Sequence, residues 1–196
     1  MKYDPDKHHR RSIRLNSYDY RQSGSYFITV CTHDRKCFFG TVDGREMQLN
    51  DVGQMVKSTW QELPSRFSSV WLDEFTVMPN HIHGVILVGA QFIAPKLTAS
   101  QDFGILNPGT LERGAINRAP MLGKIVRAYK ARSTRLIRRM ATPDFAWQRN
   151  YYEHVVRDEK SLNRIREYIL TNPARWDSDR ENPAATTPEA EDAWRG

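Results

Sequence analysis

Residues 70–88 read VWLDEFTVMPNHIHGVILV. Aliphatic, β-branched and aromatic residues fill Val70–Met78 and again Ile82–Val88, and the tight Pro79-Asn80 link separates the two runs. Two strands joined so closely pair antiparallel. Strand side chains alternate, so His81 and His83 point to one face with Cα atoms about 6.5 Å apart, while Ile82 points the other way into packing. Two neutral imidazoles so placed make a partial metal site. A lone His-x-His also arises by chance, and a third ligand is needed.

Outward from this pair the chain alternates between the two hydrophobic periods. Tyr26–Thr32 (YFITVCT) is a first strand, and residues 37–49 (CFFGTVDGREMQL) carry the Asp43-Gly44 turn signal of a hairpin. Asn50 precedes a helix through Phe67, with Val52, Met55, Val56, Trp60 and Leu63 at helical spacing. Met121–Met140 is a second helix, apolar through Leu122, Ile125, Val126, Tyr129, Leu136 and Ile137. Trp147–Val156 makes a last strand, and Asp158 opens a third helix that Pro173 ends. This order predicts an α+β fold: a small antiparallel sheet with helices packed on it, the class that holds the ferredoxin-like split βαβ arrangement.

With 196 residues the chain has room for one domain and its tails. Residues 1–24 read as a basic arm, 25–176 as the folded body and 177–196 as an acidic, disordered tail. Residues 91–120 lack periodicity and are expected to form a mobile loop. The tail carries six acids and two bases, so the net charge of +6 conceals a body near +10. Such a body favours a polyanion, most simply nucleic acid; the bland alternative is a merely basic domain. Cys31 and Cys37 give neither a disulfide framework nor zinc spacing. No apolar run approaches the ~20 residues that span a bilayer, and residues 1–12 lack the apolar core of a signal peptide. A soluble, cytoplasmic protein is expected, with no membrane contact.

Three further groups bear on function. Tyr168 and Asn172 stand four apart, and so side by side on the third helix; equally, Tyr168 packs beside Ile165 and Ile169 and Asn172 caps the helix. Tyr151, Tyr152 and His154 are competing chemical groups near the last strand. The second helix holds Lys124, Arg127, Lys130, Arg132, Arg135, Arg138 and Arg139 without one acid. With Arg10, Arg11 and Arg14 of the arm, these bases are the expected phosphate contacts, and Tyr18 and Tyr20 are available to stack on unpaired bases.

Three separated segments, MPNHIHGVI, WQRNYYEHVVRDEKSLNRIREYILTNP and HHRRSIRLNSYDYRQSGSYFITVCT, together resemble the single-tyrosine HUH transposases of the insertion-sequence type, specifically the REP-associated tyrosine transposases. The resemblance runs over most of residues 8–176. It implies a ferredoxin-like nuclease domain that cuts and rejoins single-stranded DNA near repeat hairpins, using a divalent metal and a covalent 5′-phosphotyrosine. By position, His81 and His83 match the metal-binding pair and Tyr168 the nucleophile; Asn172 falls where relatives place a polar third ligand, often Gln. The implied partner is single-stranded or hairpin DNA, no protein partner is required, and a monomer is favoured over a homodimer. The 91–120 loop exceeds what a minimal member needs.

The residue types suit that chemistry in their own right. A phenol with an ordinary pKa near 10 is a poor nucleophile at neutral pH and needs its developing charge stabilised. Two imidazoles and an amide oxygen suit Mg2+ or Mn2+, and leave room to polarise a phosphate. Two other classes compete: a non-cleaving nucleic-acid-binding module descended from a transposase, and a metal hydrolase that would not need Tyr168.

Overall fold

The computed structural model describes residues 23–89, 122–140, 142–188 and Ala190. The basic arm with Arg10, Arg11 and Arg14, and the 91–120 loop, lie outside the described residues. The elements are β1 (Gly24–Cys31), β2 (Gly40–Asp43), β3 (Glu46–Leu49), α1 (Asp51–Gln61), α2 (Leu63–Arg66), β4 (Val70–Val77), β5 (His81–Val88), α3 (Leu122–Arg139), β6 (Tyr152–Val156) and α4 (Glu159–Thr171), followed by a 3₁₀ segment, Asn172–Ser178. Four strands form an antiparallel sheet in the order β4-β5-β1-β6, and β2 pairs with β3 as a separate hairpin. This is the α+β, ferredoxin-like arrangement expected of the sequence.

Alternation along the central strands gives the sheet two buried faces. Tyr26, Ile28 and Val30 of β1 and Ile82, Ile86 and Val88 of β5 join a core with Val56 and Trp60 of α1 and with Leu122, Ile125, Val126, Tyr129 and Ile137 of α3. Phe27, Val85 and Leu87 face the other way, onto Ile165 and Ile169 of α4. Hence His83 and Thr29, which share the register and parity of Phe27 and Val85, lie on the α4 face. Gly84 lies on the opposite face, where an added Cβ would come within 2.5 Å of the Trp60 ring; the missing side chain lets that indole, stacked on Phe75 at 4.7 Å, lie against the strand.

Caps and turns follow the local sequence. Asn50 accepts a hydrogen bond from the Gly53 amide and Asp158 one from the Ser161 amide, each opening a helix. In the β2–β3 turn Gly44 and Arg45 both have positive φ, the requirement of a primed hairpin turn.

Three expectations are corrected. The helix from residue 51 breaks at Glu62, because a continuous helix would set the Pro64 ring against the carbonyl of Trp60. The last strand starts at Tyr152, and Trp147 makes only an isolated bridge to Thr32. Between them the Lys130 ammonium takes the carbonyls of Gln148 and Asn150 at 2.8 and 2.9 Å, drawing those groups out of any ladder. The acidic segment does not begin as a disordered tail: Asp177 and Ser178 close the 3₁₀ segment, Asp179 is buried, and Asn182 donates to the Trp176 carbonyl. Of its acids, Glu181 pairs with Arg35 at 3.0 Å and Asp179 lies 3.7 Å from His81, contacts that composition does not reveal.

Candidate metal centre and nucleic-acid site

The β5 backbone enters the sheet at His81, directly opposite Cys31, and the next same-face residue, His83, sits opposite Thr29. The orientation of both imidazoles is set from behind. Asn80 is fully buried, and its side-chain nitrogen donates to the carbonyls of Arg35 (2.9 Å) and Glu181 (2.6 Å). Its oxygen therefore faces His81 Nδ1 at 2.8 Å and accepts the proton there, leaving Nε2 with a lone pair. His83 Nδ1 is likewise held by the Thr29 hydroxyl at 2.8 Å.

In front, the two Nε2 atoms meet at 3.0 Å, and the Asp179 Oδ2 lies 3.7 Å from that of His81. His81, His83 and Asp179 offer ligand atoms within 4.8 Å of one another, all buried, and this group could bind a metal. Two observations support the fit. The His81 Nε2 lone pair faces His83 Nε2 over 3.0 Å, a gap that either a His83 proton or a cation fills, and Asp179 Oδ2 is buried without a hydrogen-bond partner. Burial, with the charge of Arg35 adding to it, holds His81 down to about 3. Burial and the neighbouring His81 hold His83 well below its ordinary value, against the opposing pull of Asp179. Both rings are thus neutral at physiological pH, the form that ligates.

Tyr168 projects from α4 onto the same face. Its ring lies 5.2 Å from that of His83 and edge-on to Phe27 at 6.2 Å, while the Arg175 guanidinium covers it at 5.3 Å. The rotation of α4 is fixed by Asp73, which takes Arg166 Nε and Nη2 on its two oxygens at 2.7 and 2.5 Å. Asp73 can reach because the register of β4 shifts between Leu72 and Phe75. A cavity of about 210 Å³ opens beside the histidine and the tyrosine, lined among others by Phe27, Arg35, Gln148, Asn150, Tyr152 and Glu181.

The structure thus brings His81, His83 and Tyr168 together. Asn172 is buried at the end of α4 with its side-chain oxygen unpartnered, while the carboxylate that meets the imidazoles is that of Asp179. Sequence reasoning missed Asp179, whose surroundings read as a tail, and passed over Asn80 and Thr29, although Asn80 stands immediately before the HIH motif. On α3, Lys124, Arg127, Arg135, Arg138 and Arg139 are exposed within an arc of about 120°. That helix packs on the sheet face opposite the histidines. Lys130 is spent on the 148–150 backbone, and Arg132 pairs with Glu62 at 2.6 Å. No described helix is long and apolar enough to cross a membrane.

Comparison with known proteins agrees with the motifs. No protein-family model matches the chain. An uncharacterized protein of Haemophilus influenzae is 43% identical over 183 residues, covering 91% of this chain and 96% of the relative. A second H. influenzae protein, named as a candidate REP-associated tyrosine transposase, is 24% identical over 157 residues, 80% of this chain and 74% of that protein. The solved structure of a REP-associated tyrosine transposase bound to a REP hairpin shares the fold with a TM-score of 0.51 at 16% identity, over 83% of this chain and 73% of that one. The chain belongs to one family with the 43% identical H. influenzae protein, and its motifs and fold are similar to those of the REP-associated tyrosine transposases.

Proposed function

We propose that the protein is a divalent-metal-dependent endonuclease and strand transferase for single-stranded DNA, cutting and rejoining near repeat hairpins through a covalent 5′-phosphotyrosine on Tyr168. The observation that carries this reading is the meeting of His81, His83 and Asp179 in one buried group with the Tyr168 ring beside it. The hairpin-bound relative supports the choice of DNA.

His81, His83 and Asp179 would hold the ion, with Asn80 and Thr29 fixing the rings. Bound there, Mg2+ or Mn2+ polarises a phosphate oxygen and neutralises the charge that builds on it. The chain's own part is positional. Arg175 and Phe27 hold the phenol beside His83, and the Asp73–Arg166 pair sets the pitch of the helix that carries it. In the reaction the Tyr168 oxygen bonds to phosphorus, the P–O3′ bond breaks, and the phenolic proton ends on the departing 3′-hydroxyl. One phosphodiester replaces another, so rejoining by attack of a 3′-hydroxyl needs no ATP. DNA that engages both this site and the basic face of α3 must pass around an edge of the sheet. A monomer suffices in this scheme.

A labelled hairpin with single-stranded flanks, incubated with Mn2+ and then with chelator, tests the proposal: a metal-dependent protein–DNA adduct is expected and should vanish in Tyr168→Phe. One observation favours a second reading. His81 is fully buried and His83 is 4% exposed, with Trp176 and Asp179 close to His81. A domesticated binder would keep such a closed site, and hairpin binding without an adduct under any metal would select it.

A further inference from the structure

The cavity beside Tyr168 has a wall that the cleavage chemistry leaves unused. Gln148 is pinned on both sides of its backbone: its N–H donates to the Cys31 carbonyl at 2.8 Å, and its own carbonyl takes Lys130 Nζ at 2.8 Å. Asn150 is held by the same ammonium at 2.9 Å. Burial pushes that half-buried lysine down to about 8, and its ammonium ties together two carbonyls of this irregular stretch of backbone. Gln148 and Asn150, each with a side-chain amide, line the cavity together with the aromatic residues Phe27, Tyr151 and Tyr152. Flat apolar surface beside fixed paired donors and acceptors is the composition of a base-binding site. At about 210 Å³ the half-open space is large enough for one nucleobase.

We propose that this cavity binds a single unstacked nucleobase of the DNA strand beside the phosphate presented to Tyr168, with Gln148 reading its hydrogen-bonding edge. The inference rests on the single-stranded DNA reading above. An amide offers one donor and one acceptor side by side, so it selects a base with the complementary pair and disfavours one without it. Tyr152 and Phe27, edge to face at 6.2 Å, supply apolar surface that tolerates any base, which leaves discrimination to the amide. Lys130 acts from behind as a positioning residue, keeping the amide in place before the strand arrives.

The test is selection by binding, which needs no cleavage. A hairpin with randomised single-stranded flanks is equilibrated with the full chain, and bound molecules are sequenced for the wild type, Gln148→Leu and Gln148→Glu. Expected is a preference of about fivefold or more at one flank position, flattened by Gln148→Leu and redirected towards bases with two exposed donors by Gln148→Glu. The melting temperature of the two variants should stay near the wild type's, while affinity for a hairpin with the preferred flank should fall by about the same fivefold in Gln148→Leu. A profile that Gln148→Leu leaves unchanged, or a wild type with no single-position preference, overturns the proposal. Adduct formation on the same pool is scored separately: a Gln148-dependent preference without adduct would sink the nuclease reading and keep the base site, and an adduct with a flat profile would do the reverse.

Discussion

Asp73 holds Arg166 through two parallel hydrogen bonds, and Arg166 stands two residues before Tyr168 on α4. Burial raises the Asp73 carboxyl, but the hydrogen bonds from Arg166 and from the Glu74 amide outweigh it and hold the group below its ordinary range. Asp73→Ala should lower stability by about 1–2 kcal/mol, less than a fully buried pair because both groups are partly exposed. It should also slow adduct formation at saturating DNA more than it weakens binding. Urea unfolding and single-turnover kinetics check both, and a double variant, Asp73→Arg with Arg166→Asp, should recover part of the rate.

Metal binding separates the two candidates for the third ligand. Mn2+ at about a hundredfold excess over its Kd should stabilise the wild type by roughly 3 kcal/mol in thermal melts. The shift should disappear in His83→Ala and Asp179→Ala and persist in Asn172→Ala. Asn80→Ala, which frees the His81 ring, should weaken metal affinity by about 10–100-fold without removing a ligand. Loss of the shift in Asn172→Ala with retention in Asp179→Ala would move the ligand to the end of α4.

Acid should destabilise the metal-free protein early. His81 is held down to about 3 in the folded chain and His83 lies well below its ordinary value, whereas both titrate near 6.5 when unfolded. Below pH 6.5 the unfolded state binds the extra protons, so stability is complete above that pH and falls as pH drops towards 5. The slope is at most about 1.4 kcal/mol per pH unit for each histidine. Replacing both by Gln should flatten the 6.5–5 window in denaturant melts.

On the far side of the sheet, neutralising Arg127, Arg135 and Arg139 should weaken hairpin binding and reduce the salt slope by about 0.7 for each phosphate that is no longer neutralised. Lys130→Met should leave that slope nearly unchanged and lower stability instead, since its ammonium serves the Gln148 and Asn150 carbonyls. Binding titrations across a range of salt concentrations distinguish the two roles.

Periodicity made the sheet and its helices legible, because period-2 and period-3.6 patterns report directly which face is buried. The histidine pair was legible for the same reason: alternation alone puts His81 and His83 on one face. Asp179 was not. Its burial comes from packing against residues about a hundred positions earlier, and nothing local distinguishes it from Asp177 or Glu189. The dual use of α3 was equally hidden, since spacing does not show that Lys130 bends inward while Arg127 and Arg135 stay in solvent.

Asp179 joins a framework that is otherwise finished by Thr171, where both cores and all four sheet strands are already in place. A stop or frameshift between codons 172 and 179 removes a carboxylate from the histidine pair, and with it the anchoring through Asp179 and Glu181, yet spares the hydrophobic packing that keeps the chain folded.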